Sequence, residues 1–391
     1  MTPEEHDLRR ALAARGGSPS PAFRSRLSTA LAQGRPATDI RRALAVVAAI
    51  VLSVGTIGLF ALLRQSQHPR PLPAQASPVR GATPSPVPSP SASSTPIPLP
   101  TSAQFSAPTG TEVWALVANA VLFISTDQGN AWQQRALPPS PPNIEISFVS
   151  DREGWLSSAG SPETQCNGES VTLWQTTDGA KTWQQVSTSS WQQQSATGIG
   201  YRQCKSGLSF IDETHGFLTA WDSNHAPVIY RTADGGNTWA ASAPLPDPPG
   251  FTTSPGGFTL RAGRVHRFGS VLLVDAYGQS ANSGQLSEYV FRSTNGGATW
   301  THLATLPNTA VHPAFVTASR WLALIIRGQS QETLDAGKTW HAYPSDYSQA
   351  APVSPDIIFA STEVGYASVR GGLQRTVDGG LHWTPLRTPG T

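Results

Sequence analysis

The sequence predicts an all-β chain, a six-bladed β-propeller preceded by a single transmembrane helix and a Pro/Ser-rich linker. Three observations carry this reading. An eight-residue phrase, Ser/Thr-x-Asp/Asn-x-small-x-x-Trp, occurs six times. Its tryptophans, Trp132, Trp183, Trp239, Trp300, Trp340 and Trp383, are spaced by 51, 56, 61, 40 and 43 residues, the period of a repeated sheet unit. Ahead of the first copy, residues 43–63 are uncharged and apolar.

The amino-terminal segment, 1–42, reads as a short cytoplasmic helical tail. Thr2-Pro3-Glu4-Glu5 is a capping box with Pro at the first helical position, and Gly16-Gly17 ends that helix. Ser20-Pro21 opens a second helix, with Phe23, Leu27 and Leu31 on one face and Gly34 closing it. Two such helices do not make a stable domain alone. They suit a basic tail on anionic lipid, with docking to a cytoplasmic partner as the sharper alternative.

Residues 43–63 follow as the transmembrane helix. Its 21 positions span about 31 Å at ~1.5 Å per residue, enough to cross a bilayer. Arg24, Arg26, Arg35, Arg41 and Arg42 precede it, whereas Arg64, Arg70 and Arg80 follow. That asymmetry keeps the amino terminus in the cytoplasm and exports the rest. A cleaved signal peptide competes, with Ala74-Gln-Ala76 as its site. The length of the run and of the segment before it favour an uncleaved anchor. The linker, 64–106, is rich in Pro, Ser, Ala and Thr, and Pro holds such a segment extended as a semi-rigid spacer.

The propeller is expected over 107–391. Each phrase lies between β-rich runs and so forms a hairpin turn. The third-position residue, Asp127, Asp178, Asp234, Asn295, Asp335 or Asp378, accepts hydrogen bonds from the turn's own amides. The small fifth residue, usually Gly, supplies positive φ. The Trp leads into the last strand and buries its ring. Six equivalent turns argue for structural staples, since catalysis needs one asymmetric site. No gap between tryptophans holds a further complete blade, which sets the count at six.

The phrase resembles the Asp box, or bacterial neuraminidase repeat, shared by sialidases, sortilin-type receptors, several glycoside hydrolases and the photosystem II stability/assembly factor family. A second line recurs upstream of the boxes: Ile146 to Trp155, Leu208 to Phe217 and Ile357 to Tyr366, each a hydrophobic strand, an acidic turn and Gly-aromatic. It looks like the blade opening of the assembly-factor propellers. The resemblance runs from about residue 107 to the end. It implies the fold, while role is less transferable, because assembly factors are typically seven-bladed. The aromatics Trp114, Trp155, Phe217, Trp321 and Tyr366, with Val271 in blade four, are read as core between blades, against the alternative of an exposed sugar-stacking stripe.

Composition bounds the partners. Net charge is +2 and is spread without a basic stripe, so no nucleic acid is expected. Arg far outnumbers Lys, as in a GC-rich genome, and the whole suits a bacterial membrane protein with an extracytoplasmic propeller. Cys166 and Cys204 are the only cysteines, and outside the cytoplasm they are expected to form a disulfide. The nine His residues show no ligand spacing with them, so neither metal nor cofactor is expected.

A sialidase-like enzyme would carry Arg-Ile-Pro near its first blade, and none occurs. Asp275, in the strand from Ser270 to Tyr277, is the one acid whose placement is not repetitive. It is the best candidate for a catalytic carboxylate, with a hydrogen-bonded strand Asp as the simpler reading. The favoured function is a membrane-anchored binding or scaffolding module. Its protein or glycan ligand sits on the loop face, near the Ser/Gln/Asn/Gly-rich insertions 157–170, 187–206 and 276–287. The alternatives are a glycoside hydrolase, sialidase-like or other, and a sensor signalling through the tail.

Overall fold

The computed structural model describes residues 102–390, apart from 140–142, 160–168, 195, 223–224, 252, 254–258, 280–285, 307–311, 326–327, 349–355 and 370–371. The tail, the apolar run 43–63, nearly all of the linker and Cys166 lie outside the described residues. Among the described residues no helix is long and apolar enough to cross a membrane.

Six four-stranded antiparallel sheets follow one another along the chain, each made of four consecutive strands. Blade one is β1 (Ala103–Ser106), β2 (Val113–Val117), β3 (Val121–Ser125) and β4 (Gln133–Arg135). Blade two is β5 (Ile144–Phe148), β6 (Gly154–Ala159), β7 (Val171–Thr176) and β8 (Gln184–Ser189). Blade three is β9 (Cys204–Phe210), β10 (Gly216–Trp221), β11 (Val228–Thr232) and β12 (Ala240–Ala241). Blade four is β13 (Arg261–Phe268), β14 (Val271–Gln279), β15 (Leu286–Ser293) and β16 (Thr301–Thr305). Blade five is β17 (Ala314–Phe315), β18 (Trp321–Ala323), β19 (Gln331–Thr333) and β20 (His341–Ala342). Blade six is β21 (Ile357–Phe359), β22 (Gly365–Val369), β23 (Gly372–Thr376) and β24 (Thr384–Leu386).

The propeller therefore begins at Ala103, inside the segment read as linker and ahead of the expected residue 107. Composition hid this strand, because Ala103-Gln-Phe-Ser continues the small-residue character of the linker. Its pairing, Phe105 opposite Ala115 and Ser106 opposite Trp114, makes it a strand.

Every repeated turn closes in the same way. The Ser/Thr hydroxyl accepts the amide of the fifth residue, as from Gly129 to Ser125 Oγ (2.7 Å) and from Gly380 to Thr376 Oγ1 (2.9 Å). The carboxylate accepts the amide of the seventh, as from Thr182 to Asp178 Oδ1 and from Thr339 to Asp335 Oδ1, both 2.9 Å. Asn295 does this with its amide oxygen, which accepts from Thr299 N–H at 3.1 Å. The fifth residue is left-handed throughout, even where it is Ala180 (φ 59°), so Gly is preferred there without being required. The tryptophans are less uniform than the pattern suggests: Trp239, Trp300 and Trp383 are buried, while Trp132, Trp183 and Trp340 are half-buried.

The Gly-aromatic line is an inter-blade device. Trp114 of β2 stacks on Phe148 of β5 with centroids 3.7 Å apart, and Trp155 of β6 stacks on Phe210 of β9 at the same distance. A Cβ at Gly154 would stand 2.1 Å from the Phe148 ring, and one at Gly216 would stand 2.6 Å from Phe210. Glycine at those positions makes room for the neighbouring strand's aromatic ring. Trp114, Trp155, Phe217, Trp321 and Tyr366 are all buried, so they are core rather than a sugar-stacking stripe. Blade four differs from expectation by two residues. Leu273, opposite Arg292, occupies the place that Phe217 holds opposite Arg231, while Val271 is only half-buried.

Among the described residues no strand is exchanged between the first and last blades, and side chains join them. In blades one to four, inner-strand amides donate to side-chain acceptors supplied by the preceding blade. Gln104 Oε1 accepts Ile146 N–H (2.6 Å), and Glu145 Oε2 accepts Leu208 N–H (2.8 Å). Across the closure, Asp356 Oδ2 accepts Phe105 N–H at 2.6 Å. Arg375 of blade six adds a bond from Nη1 to the carbonyl of Gln128 in blade one (2.8 Å).

Candidate functional site

Two cavities open along the inner strands, one at each mouth of the ring. Arg264 lines both. Its Nη1 donates to Phe105 O (2.8 Å) and stands 3.5 Å from Asp356 Oδ2. It thus links blade four to blades one and six and forms the floor between the mouths.

The larger cavity, about 530 Å³, lies at the starts of β5, β9 and β13 and the ends of β6, β10 and β14. Its size is in the range of ligand sites. This is the mouth onto which the 157–170, 187–206 and 276–287 segments lead, although their ends are strand: β6 continues to Ala159 and β14 to Gln279. Two β-bulges shape the wall, one in β9 opposite Phe217/Thr219 and one in β13 between Ala262 and Val265. Bulges of this kind re-aim side chains next to sites. Gly207 (φ 65°) belongs to the first, and a Cβ there would meet the carbonyl of Gly263 at 2.3 Å. Gly263 belongs to the second, and a Cβ there would stand 2.6 Å from Asp275 Oδ1.

Asp275 projects from β14 into this wall, and two residues that sequence reasoning missed join it. His312 Nδ1 lies 3.1 Å from Asp275 Oδ2 and 3.2 Å from Glu288 Oε1. Glu288 is on β15, opposite Tyr277, and is 2% exposed. Burial pushes its carboxyl up to about 8, against the opposing pull of His312. Burial works to raise Asp275 as well, but the His312 hydrogen bond and charge hold it below the usual carboxylate range. Burial would lower His312; its bonds to the two carboxylates instead raise it to about 11. Asp275 and Glu288 turn to the same imidazole nitrogen, and the donor atoms of all three side chains lie within 4.8 Å of one another. Two carboxyls gathered on one imidazole are not the separated pair that flanks a glycosidic bond.

A second pair stands elsewhere in the wall. Glu169 and Lys205 are 2% and 7% exposed. Glu169 Oε1 accepts the amide of Lys205 (3.0 Å), whereas Glu169 Oε2 and Lys205 Nζ have no hydrogen-bond partner among the described residues. Burial lowers the Lys205 ammonium to about 8 despite the Glu169 charge, and burial raises Glu169. Beside Lys205, Cys204 begins β9 and is disulfide-bonded; the chain's other cysteine is Cys166. At the rim, the Arg261 guanidinium sits 4.2 Å over the Trp221 ring and donates to Tyr277 Oη (3.3 Å). Further out, Trp191 is 60% exposed with Arg202 against it.

The acids of the boxes stay in their turns, away from this cavity. Asp127, Asp178, Asp234, Asn295, Asp335 and Asp378 each bond their own Ser/Thr hydroxyl at 2.7 to 3.0 Å. Glu169 and Lys205 carry no local motif. Glu288 could have been found as a departure from the repeat, since blades three and two have Pro227 and Val171 at the corresponding distance before the box.

Six sheets with six such turns define the class, a six-bladed β-propeller of the Asp-box type. No family model matches the chain, and no curated protein matches it. Among solved structures it is similar to YCF48 bound to D1 peptide, at 18% identity and TM-score 0.40, over 72% of this chain and 96% of that one. It is similar to YCF48 from Cyanidioschyzon merolae, at 18% identity and TM-score 0.41, over 75% and 88%. It is also similar to the Penicillium chrysogenum alpha-L-arabinanase complexed with arabinobiose, at 12% identity and TM-score 0.44, over 75% and 99%.

Proposed function

We propose that this protein is a membrane-anchored, extracytoplasmic binding module that holds a polar ligand, a protein segment or a glycan, in the larger cavity on the loop face. The observation that carries the reading is the Glu169–Lys205 pair. A buried carboxylate oxygen and a buried ammonium without hydrogen bonds among the described residues cost stability unless a ligand or water satisfies them. Both residues line one cavity, and the Arg261–Trp221 stack at its rim offers a flat cationic face to a sugar ring or a peptide. The disulfide at Cys204 supports an oxidising compartment. The apolar run 43–63 and its flanking arginines support the anchor.

Binding is preferred over hydrolysis because the acids of the Asp275 cluster both turn to His312 instead of facing across a bond. The test is a glycan array and a crosslinking capture with the full chain in detergent, beside a panel of glycosidase substrates. Saturable binding without turnover, lost in Lys205→Met and Arg261→Ala, is the expected result. Turnover of any glycan overturns the reading.

A further inference from the structure

We propose that Asp275, Glu288 and His312 form a divalent-metal site in the wall of the loop-face cavity. The inference stands apart from the ligand reading, because it needs only these three side chains.

The donor geometry is the first argument. Asp275 Oδ2 and Glu288 Oε1 converge on the same nitrogen, His312 Nδ1, at 3.1 and 3.2 Å. The three donor atoms all lie within 4.8 Å of one another. Nδ1 carries at most one hydrogen, which points along one line, so it cannot make two good bonds to both carboxylates. An ion at the centre of the triangle serves all three donors together. Separations near 3 Å are also those of neighbouring donors around an ion bound at about 2.0–2.2 Å.

The scaffold is the second argument. β14 and β15, with 9 and 8 residues, pair along eight positions and place Asp275 and Glu288 on one face of a firm ladder. His312 comes from the connection into blade five, just before β17. Gly263 leaves the space that Asp275 occupies, since a Cβ there would stand 2.6 Å from its Oδ1. The repeat does not demand an acid at this point. Two residues beyond the register position of Leu273, blades two, three and six have Ser157, Thr219 and Ser368. Asp275 is therefore a departure specific to blade four, and Glu288 and His312 are its spatial partners.

The donor set selects the ion. One imidazole nitrogen and two carboxylate oxygens suit Zn²⁺ or Mn²⁺ better than Ca²⁺ or Mg²⁺, which prefer all-oxygen sets. Asp275 and His312 both line the cavity, so coordination positions beyond these three donors open toward it. The ion takes the place of the proton that His312 otherwise shares with the carboxylates.

The test uses the full chain in detergent, stripped with EDTA, dialysed and titrated separately with ZnCl₂ and MnCl₂. Bound metal is counted by elemental analysis, and affinity is read by calorimetry. One ion per chain is expected, with affinity weakened more than about tenfold in His312→Ala and in Glu288→Gln and unchanged in His215→Ala, whose ring lies on an exposed turn. Circular dichroism checks that each variant folds. CoCl₂ on the unaltered chain supplies a readout independent of any variant, a visible absorption band that Zn²⁺ displaces. Failure of the unaltered chain to retain any ion, or equal retention by both folded variants, overturns the site.

Discussion

Arg264 of blade four donates from Nη1 to the carbonyl of Phe105 in blade one, 2.8 Å away, and so ties together two blades that are far apart in the ring order. The same guanidinium lies 3.5 Å from Asp356 of blade six. One side chain thereby separates the two mouths and braces the inner strands. Replacing it with Met removes a charge-assisted bond and leaves the Phe105 carbonyl without this donor. Arg264→Met is expected to lower unfolding free energy by about 1.5–3 kcal/mol, measured by urea denaturation with an unchanged slope. A loss below ~0.5 kcal/mol, typical of a surface change, would contradict the bracing role.

Asp356 closes the ring from the other side, accepting Phe105 N–H at 2.6 Å. Asp356→Asn keeps an acceptor oxygen, whereas Asp356→Ala leaves a part-buried amide unpaired. The Ala variant is expected to be less stable than the Asn variant by about 1 kcal/mol. Its Phe105 amide should also exchange faster with deuterium. Equal exchange in the two variants would show that another group holds the closure.

The boxes titrate in acid. Amide and hydroxyl bonds from Thr182 and Thr339 hold Asp178 and Asp335 down to about 2. A carboxylate lowered in the folded state contributes stability above its unfolded value of about 3.9, and that contribution is lost as pH falls toward 2. Asn295 is the chain's own uncharged version of this turn. Asp178→Asn is therefore expected to melt below the unaltered chain at pH 7, with the gap closing by pH 2. A gap independent of pH would mean that the charge does not matter in these turns.

Lys205 titrates in base, and there too stability rises with pH. Burial lowers it to about 8, while the unfolded chain holds that proton up to about 10.4. Between these values the unfolded state binds more protons, so this group makes stability rise with pH. Relative to Lys205→Met, the unaltered chain is expected to gain up to about 1.4 kcal/mol for each pH unit between ~8 and ~10. Parallel stability curves across that window would show Lys205 to be solvated.

What was legible in the sequence was whatever is local. The six turns are written in eight contiguous residues each, and the bonds made by their Ser/Thr hydroxyls and Asp/Asn side chains stay within the phrase, so both blade count and turn chemistry could be read. The Phe-to-Gly-aromatic line was legible as a repeat, although its reason, the stacking of Trp114 on Phe148, appears only between blades. Blade four lacks an aromatic there, so the pattern points to Val271 where Leu273 takes the place. The candidate site was legible only through Asp275, the acid out of pattern. Glu288 and His312 reach it from a neighbouring strand and the next inter-blade connection, and no sequence period links positions 275, 288 and 312. Glu169 and Lys205 look like ordinary surface charges until burial is known.

The central claim is that the cavity on the loop face, not the opposite mouth, holds the ligand. The most direct test measures one identified ligand on three full-length proteins: the unaltered chain, Lys205→Met on the loop-face wall, and Arg267→Ala at the other mouth, where Arg267 lines the smaller cavity. The account predicts that affinity falls more than about tenfold in Lys205→Met, equivalent to ~1.4 kcal/mol, and holds in Arg267→Ala. Loss in Arg267→Ala with full binding by Lys205→Met would place the ligand at the opposite mouth and contradict it.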